Sequence, residues 1–140
     1  GIYLCGVSGY RSYERQEELY QKKRREQPKE NGDPVHWIAP PGASEHQTGL
    51  ALDVSCQAVD YQLDERFGET REGRWLKRCA PLYGFILRYP KGKEHITGYG
   101  WEPWHIRYVT RSLASYLSLT GLTLEEYHML ENPVDFSILK

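Results

Sequence analysis

One stretch of the sequence decides much of the fold and its chemistry, and it reads Ser44-Glu45-His46-Gln47-Thr48-Gly49-Leu50-Ala51-Leu52-Asp53-Val54-Ser55. Its second half, from Leu50 to Ser55, predicts a strand with Ala51 and Asp53 on one face. Burying the Asp53 carboxylate on this apolar strand is costly unless it is paired or bound to a metal. His46 lies in the preceding loop, so the two side chains can converge on one point.

A second strand is predicted from 104 to 109, with His105 and Arg107 on one face. Glu102 lies just before it. Two imidazoles, one strand carboxylate and a second carboxylate nearby form the set that catalytic zinc requires, because the ion takes three protein ligands and leaves a fourth position for water. The remaining carboxylate can then move a proton. The same residues also fit a purely structural interpretation, in which Asp53 pairs with an arginine and the histidines are structural.

The remaining local patterns predict short elements on both sides of these strands. They are a buried strand at 2–7, a helix at 13–27 capped by Ser12, a long loop at 28–45, a helix at 73–80, a strand at 85–89, a hairpin or loop at 90–100, a helix at 111–119 and a last short helix opened by the Thr123–Glu126 capping box. This order predicts an α+β fold, in which a small antiparallel sheet carries the site and packs against helices.

Length and composition exclude several classes of protein. A chain of 140 residues predicts one domain, 1–140. The 18 basic and 19 acidic residues give a net charge of −1, which argues against nucleic acid as a partner. No segment approaches the ~20 apolar residues that span a bilayer. The odd number of cysteines, without a CxxC pair, favours small buried hydrophobic residues over disulfides; they are Cys5, Cys56 and Cys79.

Four blocks of sequence resemble the VanY-type zinc D,D-carboxypeptidases of peptidase family M15. They are Ser8-Gly9-Tyr10-Arg11-Ser12-Tyr13, the segment from Pro41 to Asp53, the segment from Tyr83 to Pro90, and the segment from Lys93 to Tyr108. The pattern SxHxxGxAxD followed by ExWH is specific as an ordered pair. The resemblance covers nearly the whole chain, from Tyr3 to Tyr127. We therefore expect a catalytic domain, with any signal, membrane anchor or wall-binding module upstream of it.

The resemblance assigns roles to individual residues. It implies that zinc is bound by His46, Asp53 and His105, that Glu102 is the catalytic acid and base, and that Arg11 engages the substrate near the scissile bond and its terminal carboxylate. Gln16 and Ser44 match positions that hold this carboxylate in related enzymes.

Aromatic residues near the motifs have two interpretations. Tyr99 and Trp101, which lie ahead of the second strand, are candidates for lining a substrate groove. Trp104 lies on the strand opposite His105, where both core packing and substrate contact are open. His36 and Trp37, in the proline-rich loop, are candidates for the rim of the cleft.

The resemblance implies a monomeric enzyme outside the cytoplasm that removes the C-terminal D-alanine of peptidoglycan stem peptides, with D-Ala–D-Ala as the expected bond. An L,D-carboxypeptidase acting on tetrapeptide stems would carry the same motifs. A D,D-dipeptidase acting on free D-Ala-D-Ala and a phage-type endopeptidase are less favoured alternatives. A protein of another class, a zinc-containing wall-binding module without activity, would keep the fold and lose the chemistry.

Overall fold

A four-stranded antiparallel sheet and five α-helices make up the regular structure in the computed structural model, which describes residues 1–26 and 38–131. The strands are β1 Cys5–Ser8, β2 Ala51–Ser55, β3 Phe85–Leu87 and β4 His105–Tyr108. The helices are α1 Tyr13–Glu26, α2 Arg71–Cys79, α3 Glu94–Thr97, α4 Arg111–Thr120 and α5 Leu124–Glu131. This architecture confirms the predicted α+β class. Within the described residues, no helix has the length and apolar character needed to cross a membrane.

The two strands predicted to carry the site lie side by side in the middle of the sheet. The strand order is β1-β2-β4-β3, and β2 pairs antiparallel with β4 in a register that sets Asp53 directly opposite His105. Directly opposed residues of an antiparallel pair point to the same face of the sheet. The register therefore brings two residues that are distant in sequence onto one face.

The main hydrophobic core lies behind the opposite face of these strands. Val54 alternates with Asp53 on β2, and Ile106 alternates with His105 on β4; both are buried in a cluster with Phe67 of the segment before α2. A second, smaller cluster joins Ile86, Ala114 and Leu117, and so packs α4 against β3. The core thus supports one face of the sheet and leaves the other for polar side chains.

Helix ends follow the predicted signals. The Ser12 hydroxyl accepts a hydrogen bond from the Arg15 N–H at 3.2 Å, as expected for the residue that caps α1. In the capping box of α5, the Thr123 N–H donates to Glu126 at 2.8 Å and the Glu126 N–H donates to Thr123 Oγ1 at 3.2 Å. These hydrogen bonds define where the two helices begin.

The first strand differs from its prediction in position and in burial. It runs over Cys5–Ser8 rather than 2–7, and its first three residues are exposed. The reason is its place in the sheet, because β1 is an edge strand that pairs only with β2. Cys5 is accordingly exposed, which makes its predicted burial wrong; Cys56 is buried, Cys79 is half-buried, and all three cysteines are free.

Segment 90–100 holds the short helix α3 rather than a hairpin or a simple loop. The Gly92 N–H donates to the Glu94 carboxylate at 3.0 Å where this helix starts. Gly98, at φ 75°, adopts the left-handed conformation that closes it. His36 and Trp37, the candidates for the rim of the cleft, lie outside the described residues.

Candidate metal centre and active-site cleft

The structure brings the three predicted metal ligands together. His46, Asp53 and His105 are buried, and one ligand atom from each lies within 4.8 Å of the others. Asp53 Oδ2 lies 3.1 Å from His46 Nε2, and its Oδ1 lies 2.8 Å from His105 Nδ1. His46 belongs to the 3-10 turn Glu45–Thr48, which leads directly into β2. The turn and the register of β2 with β4 therefore build the cluster.

The second nitrogen of each imidazole has its own partner, and this shows which atom is available to a cation. His46 Nδ1 lies 2.7 Å from the Gly9 carbonyl oxygen, which can only accept, so Nδ1 carries the hydrogen and Nε2 faces Asp53. His105 Nε2 lies 3.2 Å from the Glu45 carboxylate, which leaves Nδ1 facing Asp53. Two imidazole nitrogens and a carboxylate oxygen then point at one place, which is the donor set of a catalytic zinc site.

The charges in the cluster also fit a cation. Burial would lower the pKa of His105, but hydrogen bonds with Asp53 and Glu45 outweigh it and raise the pKa to about 9. Burial would raise the pKa of Asp53, but hydrogen bonds from His105 and His46 hold it at about 2. A buried anion thus faces a protonated imidazole, and a divalent ion would replace that proton between the same two groups.

Glu45 is a site residue that the sequence analysis missed. One carboxylate oxygen, Oε2, faces His105, while Oε1 accepts hydrogen bonds from Arg88 Nε at 2.7 Å and forms an ion pair with Arg107 Nη1 at 3.1 Å. Arg88 in turn holds Glu125 of α5 with both terminal nitrogens. The only sequence signal was indirect, since Arg107 shares a strand face with His105 and a half-buried arginine there favours a carboxylate partner, without showing which one.

Arg11 lies on the other side of the cluster, in the turn between β1 and α1. Its Nη1 donates to Gln16 Oε1 at 2.8 Å, and its Nη2 lies 3.5 Å from Asp53 Oδ2. Its Nε is buried and has no hydrogen-bond partner in the part of the chain that the structure describes. Burial lowers the pKa of Arg11, although the Asp53 carboxylate opposes this effect. A buried donor of this kind is normally satisfied by a ligand or by water.

Gln16 is fully buried, and both ends of its amide are engaged. Its oxygen accepts from Arg11, and its Nε2 donates to the Ala39 carbonyl at 2.7 Å. The predicted contact of Gln16 with a substrate carboxylate stays a prediction. In this structure the amide orients the arginine that lies next to the metal cluster.

Glu102 is buried just before β4 and is held by its backbone. Its N–H donates to the Tyr89 carbonyl, and its own carbonyl accepts from the His105 N–H at 3.2 Å. Burial raises the pKa of the Glu102 carboxyl to about 7, with His105 and Arg11 opposing the shift and the anions Asp53 and Glu45 adding to it. A carboxyl group with a pKa near neutrality is suited to proton transfer in both directions.

A cavity of about 620 Å³ lies beside these groups. Among the described residues, every predicted site residue but one lines it, namely Arg11, Gln16, Ser44, His46, Asp53, Tyr99, Glu102, Trp104 and His105. The exception is Trp101, whose ring lies against Gly68 and beneath Lys91 Nζ, 4.7 Å from the ring centroid. The structure therefore places Trp101 outside the cavity lining.

The aromatic wall of the cavity includes Tyr99, as predicted, and also Tyr89, which was not predicted. Tyr89 stacks on His105 with ring centroids 5.1 Å apart, and Tyr99 stacks on Tyr89 at 4.5 Å. Trp104 is 8% exposed and packs in the main core, which confirms that interpretation. It also reaches the cavity, where its contact with substrate stays a prediction. Tyr89 was missed because the sequence presents it only as the end of a strand.

Comparison with known proteins identifies a family and several similar proteins. The VanY family model, described as D-alanyl-D-alanine carboxypeptidase, matches residues 1–111. The putative carboxypeptidase YodJ of Bacillus subtilis is 46% identical over 127 residues, which are 91% of this chain and 46% of that protein. The structure of the LdcB LD-carboxypeptidase is 46% identical with a TM-score of 0.83, over 91% of this chain and 59% of that one.

A zinc complex of the vancomycin-resistance D,D-pentapeptidase VanY is also similar, with 38% identity and a TM-score of 0.76 over 91% of this chain and 72% of that one. The chain spans between 34% and 64% of the lengths of the curated relatives that it matches. The resemblance inferred from the ordered motifs is confirmed by the family match and by these identities. The chain belongs to the VanY family.

Proposed function

We propose that this chain is a zinc carboxypeptidase domain that removes the C-terminal D-alanine of peptidoglycan stem peptides, with D-Ala–D-Ala as its bond. The observation that carries the proposal is the convergence of His46, Asp53 and His105 in a cleft that Glu102 and Arg11 also line. Among the described residues, the buried Nε of Arg11 has no hydrogen-bond partner. The family match supports it. Because peptidoglycan lies outside the cytoplasmic membrane, the proposal places the domain there, acting as a monomer.

The metal site would be formed by His46 Nε2, His105 Nδ1 and a carboxylate oxygen of Asp53. Zinc bound there polarises a carbonyl group and makes a water molecule nucleophilic at neutral pH. The protein contributes the positions of these atoms, since the Gly9 carbonyl and the Glu45 carboxylate fix the two rings from behind.

Glu102 moves the proton in this proposal. As a carboxylate it accepts a proton from the attacking water, whose oxygen bonds to the carbonyl carbon of the penultimate residue. As a carboxylic acid it returns that proton to the nitrogen of the departing D-alanine when the C–N bond breaks. Its burial supports this role, because it raises the pKa to about 7 and makes both forms accessible near neutral pH.

Arg11 binds negative charge on the substrate. The Gln16 amide and the Asp53 carboxylate orient two of its nitrogens, while the buried Nε has no described partner and can donate to a ligand oxygen. The terminal carboxylate of the stem or the developing oxyanion would satisfy it. Ser44, which is buried beside His46 in the cleft, is the second proposed contact for the carboxylate.

A second candidate reaction is L,D-carboxypeptidase activity on tetrapeptide stems. It is favoured by the 46% identity to the LdcB LD-carboxypeptidase, against 38% for the D,D-pentapeptidase VanY. Both reactions release a terminal D-alanine and need the same metal, proton carrier and cation. They differ only in the residue that precedes the scissile bond.

Mass spectrometry of defined stems separates these candidates. The zinc-loaded protein is incubated with a pentapeptide stem and a tetrapeptide stem, each with and without a chelator. Loss of one alanine from the pentapeptide, abolished by the chelator, is expected. Loss from the tetrapeptide alone would establish the L,D activity instead. Zinc binding without cleavage of either stem would refute the enzyme and favour a wall-binding module.

A further inference from the structure

Helix α5 lies outside the residues matched by the family model, and a chain of side-chain contacts links it to the metal cluster. Its Glu125 accepts two hydrogen bonds from Arg88, from Nη1 at 2.9 Å and from Nη2 at 2.5 Å. A paired contact of this kind between a guanidinium and a carboxylate fixes direction as well as distance. The Arg88 side chain is only 11% exposed, so the contact is largely shielded from solvent.

The third nitrogen of the same guanidinium holds Glu45. Arg88 Nε donates to Glu45 Oε1 at 2.7 Å, and Arg107 of β4 approaches the same oxygen at 3.1 Å. Both cations thus lie on Oε1, and Oε2 remains for His105 Nε2 at 3.2 Å. The two arginines and the two carboxylates, Glu45 and Glu125, balance in charge.

This arrangement decides which nitrogen His105 offers. Once a metal ion displaces the Nδ1 proton, an imidazole that donates its Nε2 hydrogen to a carboxylate offers the lone pair on Nδ1, the atom that faces Asp53. Without Glu125, the terminal nitrogens of Arg88 would lose their carboxylate and compete with His105 for Glu45 Oε2. His105 would then be released to rotate or to take the other tautomer.

We infer that Glu125 of α5 is a positioning residue for the metal ligand His105, acting through Arg88 and Glu45. The inference rests on the proposed function, because it takes His105 as a zinc ligand. Changes in such outer partners typically weaken metal binding by about 10–100-fold. We expect Glu45→Gln within that range and Glu125→Gln near its lower limit, about tenfold.

The chain offers a matched control on the same helix. Glu126 pairs with Lys93 and closes the capping box, and none of its described hydrogen bonds involves Arg88. Glu126→Gln removes the same charge from α5 and removes an anchor of that helix. It should leave zinc affinity within about twofold of wild type, since it touches neither Arg88 nor Glu45.

The experiment measures zinc affinity of the full chain by competition with a chromogenic chelator, for wild type, Glu45→Gln, Glu125→Gln, Glu126→Gln and the Glu45→Gln/Glu125→Gln double variant. Unfolding of each metal-free protein reports stability separately. The double variant should bind zinc as Glu45→Gln alone does, because the two residues act in series. Nitrogen NMR of zinc-loaded wild type should show His105 with its hydrogen on Nε2. In zinc-loaded Glu125→Gln, the same spectrum should show a smaller fraction of this form.

Three results would each overturn the inference. They are a wild-type zinc affinity in Glu125→Gln, a loss of zinc affinity in Glu126→Gln equal to that in Glu125→Gln, and additive losses of zinc affinity in the double variant. A wild-type protein that binds zinc and cleaves no stem would refute the proposed function, and the ratio between variants would still decide the role of Glu125. A wild-type protein that binds no zinc would overturn both.

Discussion

The two histidines of the cluster are held in different ways. The ring of His46 is fixed by a backbone group, the Gly9 carbonyl, which lies 2.7 Å from its Nδ1. In the same turn, the backbone N–H of Arg11 donates a hydrogen bond to the His46 carbonyl. The ring of His105 is fixed by a side chain, Glu45, which depends on arginines from two further segments. One half of the site therefore depends on main-chain geometry and resists substitution, whereas the other half can be tuned by single side chains.

Removal of either histidine should have the same effect, although the two rings are held in different ways. His46→Ala and His105→Ala should each lose most of the bound zinc and all measurable carboxypeptidase activity, because catalytic zinc needs three protein ligands. Elemental analysis after dialysis and stem cleavage are the measurements. Full zinc occupancy in either variant would remove that histidine from the metal site.

Glu102→Gln should reduce turnover without reducing zinc binding by either histidine. The amide cannot accept or return the proton, so turnover should fall by about 10²–10⁴-fold, while zinc stays bound through ligands that the change does not touch. Turnover of a pentapeptide stem is measured beside zinc content. Undiminished turnover would exclude Glu102 as the proton carrier.

The free energy of unfolding should differ between variants near the side chain that holds His105 and variants at the backbone that holds His46. Arg88→Met leaves Glu45 and Glu125 without their shared partner and should lower the free energy of unfolding by about 1–3 kcal/mol, as removing one partner of a half-buried polar pair does. Gly9→Ala keeps the carbonyl that holds His46, and an added Cβ meets no atom within 4 Å.

The Gly9→Ala change should therefore cost less than about 0.5 kcal/mol, the usual size of a surface substitution. Denaturant unfolding of the metal-free proteins measures both variants. Equal losses in the two would show that the supports are not different in kind.

The smallest expected effect concerns pH and the anchor of α5. Hydrogen bonds from the Thr123 N–H and from Lys93 hold the pKa of Glu126 below its ordinary value of 4.5. The anion therefore stabilises the fold above that value, and this contribution disappears as pH falls through the lowered pKa. The stability difference between wild type and Glu126→Gln should be constant near neutrality and should shrink at acidic pH. A difference independent of pH would mean that the charge is irrelevant.

The sequence predicted the parts of the site that are local or that share a strand face. Asp53 stood out as a carboxylate on an apolar strand, and the alternation around His105 separated its site face from its core face. The register that sets these two residues opposite each other is a non-local property, and only the structure gives it. The edge position of β1 is non-local for the same reason, which is why its burial was predicted wrongly.

Glu45 shows most clearly what a sequence pattern leaves out. In the sequence it is a polar residue beside a histidine in a loop, where a solvated carboxylate is the ordinary expectation. Its burial and its partners come from Arg88, Arg107 and His105, which belong to other segments. Residues whose role depends on several distant segments are invisible to local periodicity.

The register between Asp53 and His105 has a consequence for the order of folding events. His46 and Asp53 are close in sequence, but the third proposed ligand, His105, joins them only when β2 and β4 pair across some fifty intervening residues. Contacts of such long range form late, because the chain must first close a large loop. A metal that needs all three ligands therefore cannot guide the chain toward this pairing. It instead holds the finished pair together, and it should lengthen the lifetime of the native state while leaving the folding rate unchanged.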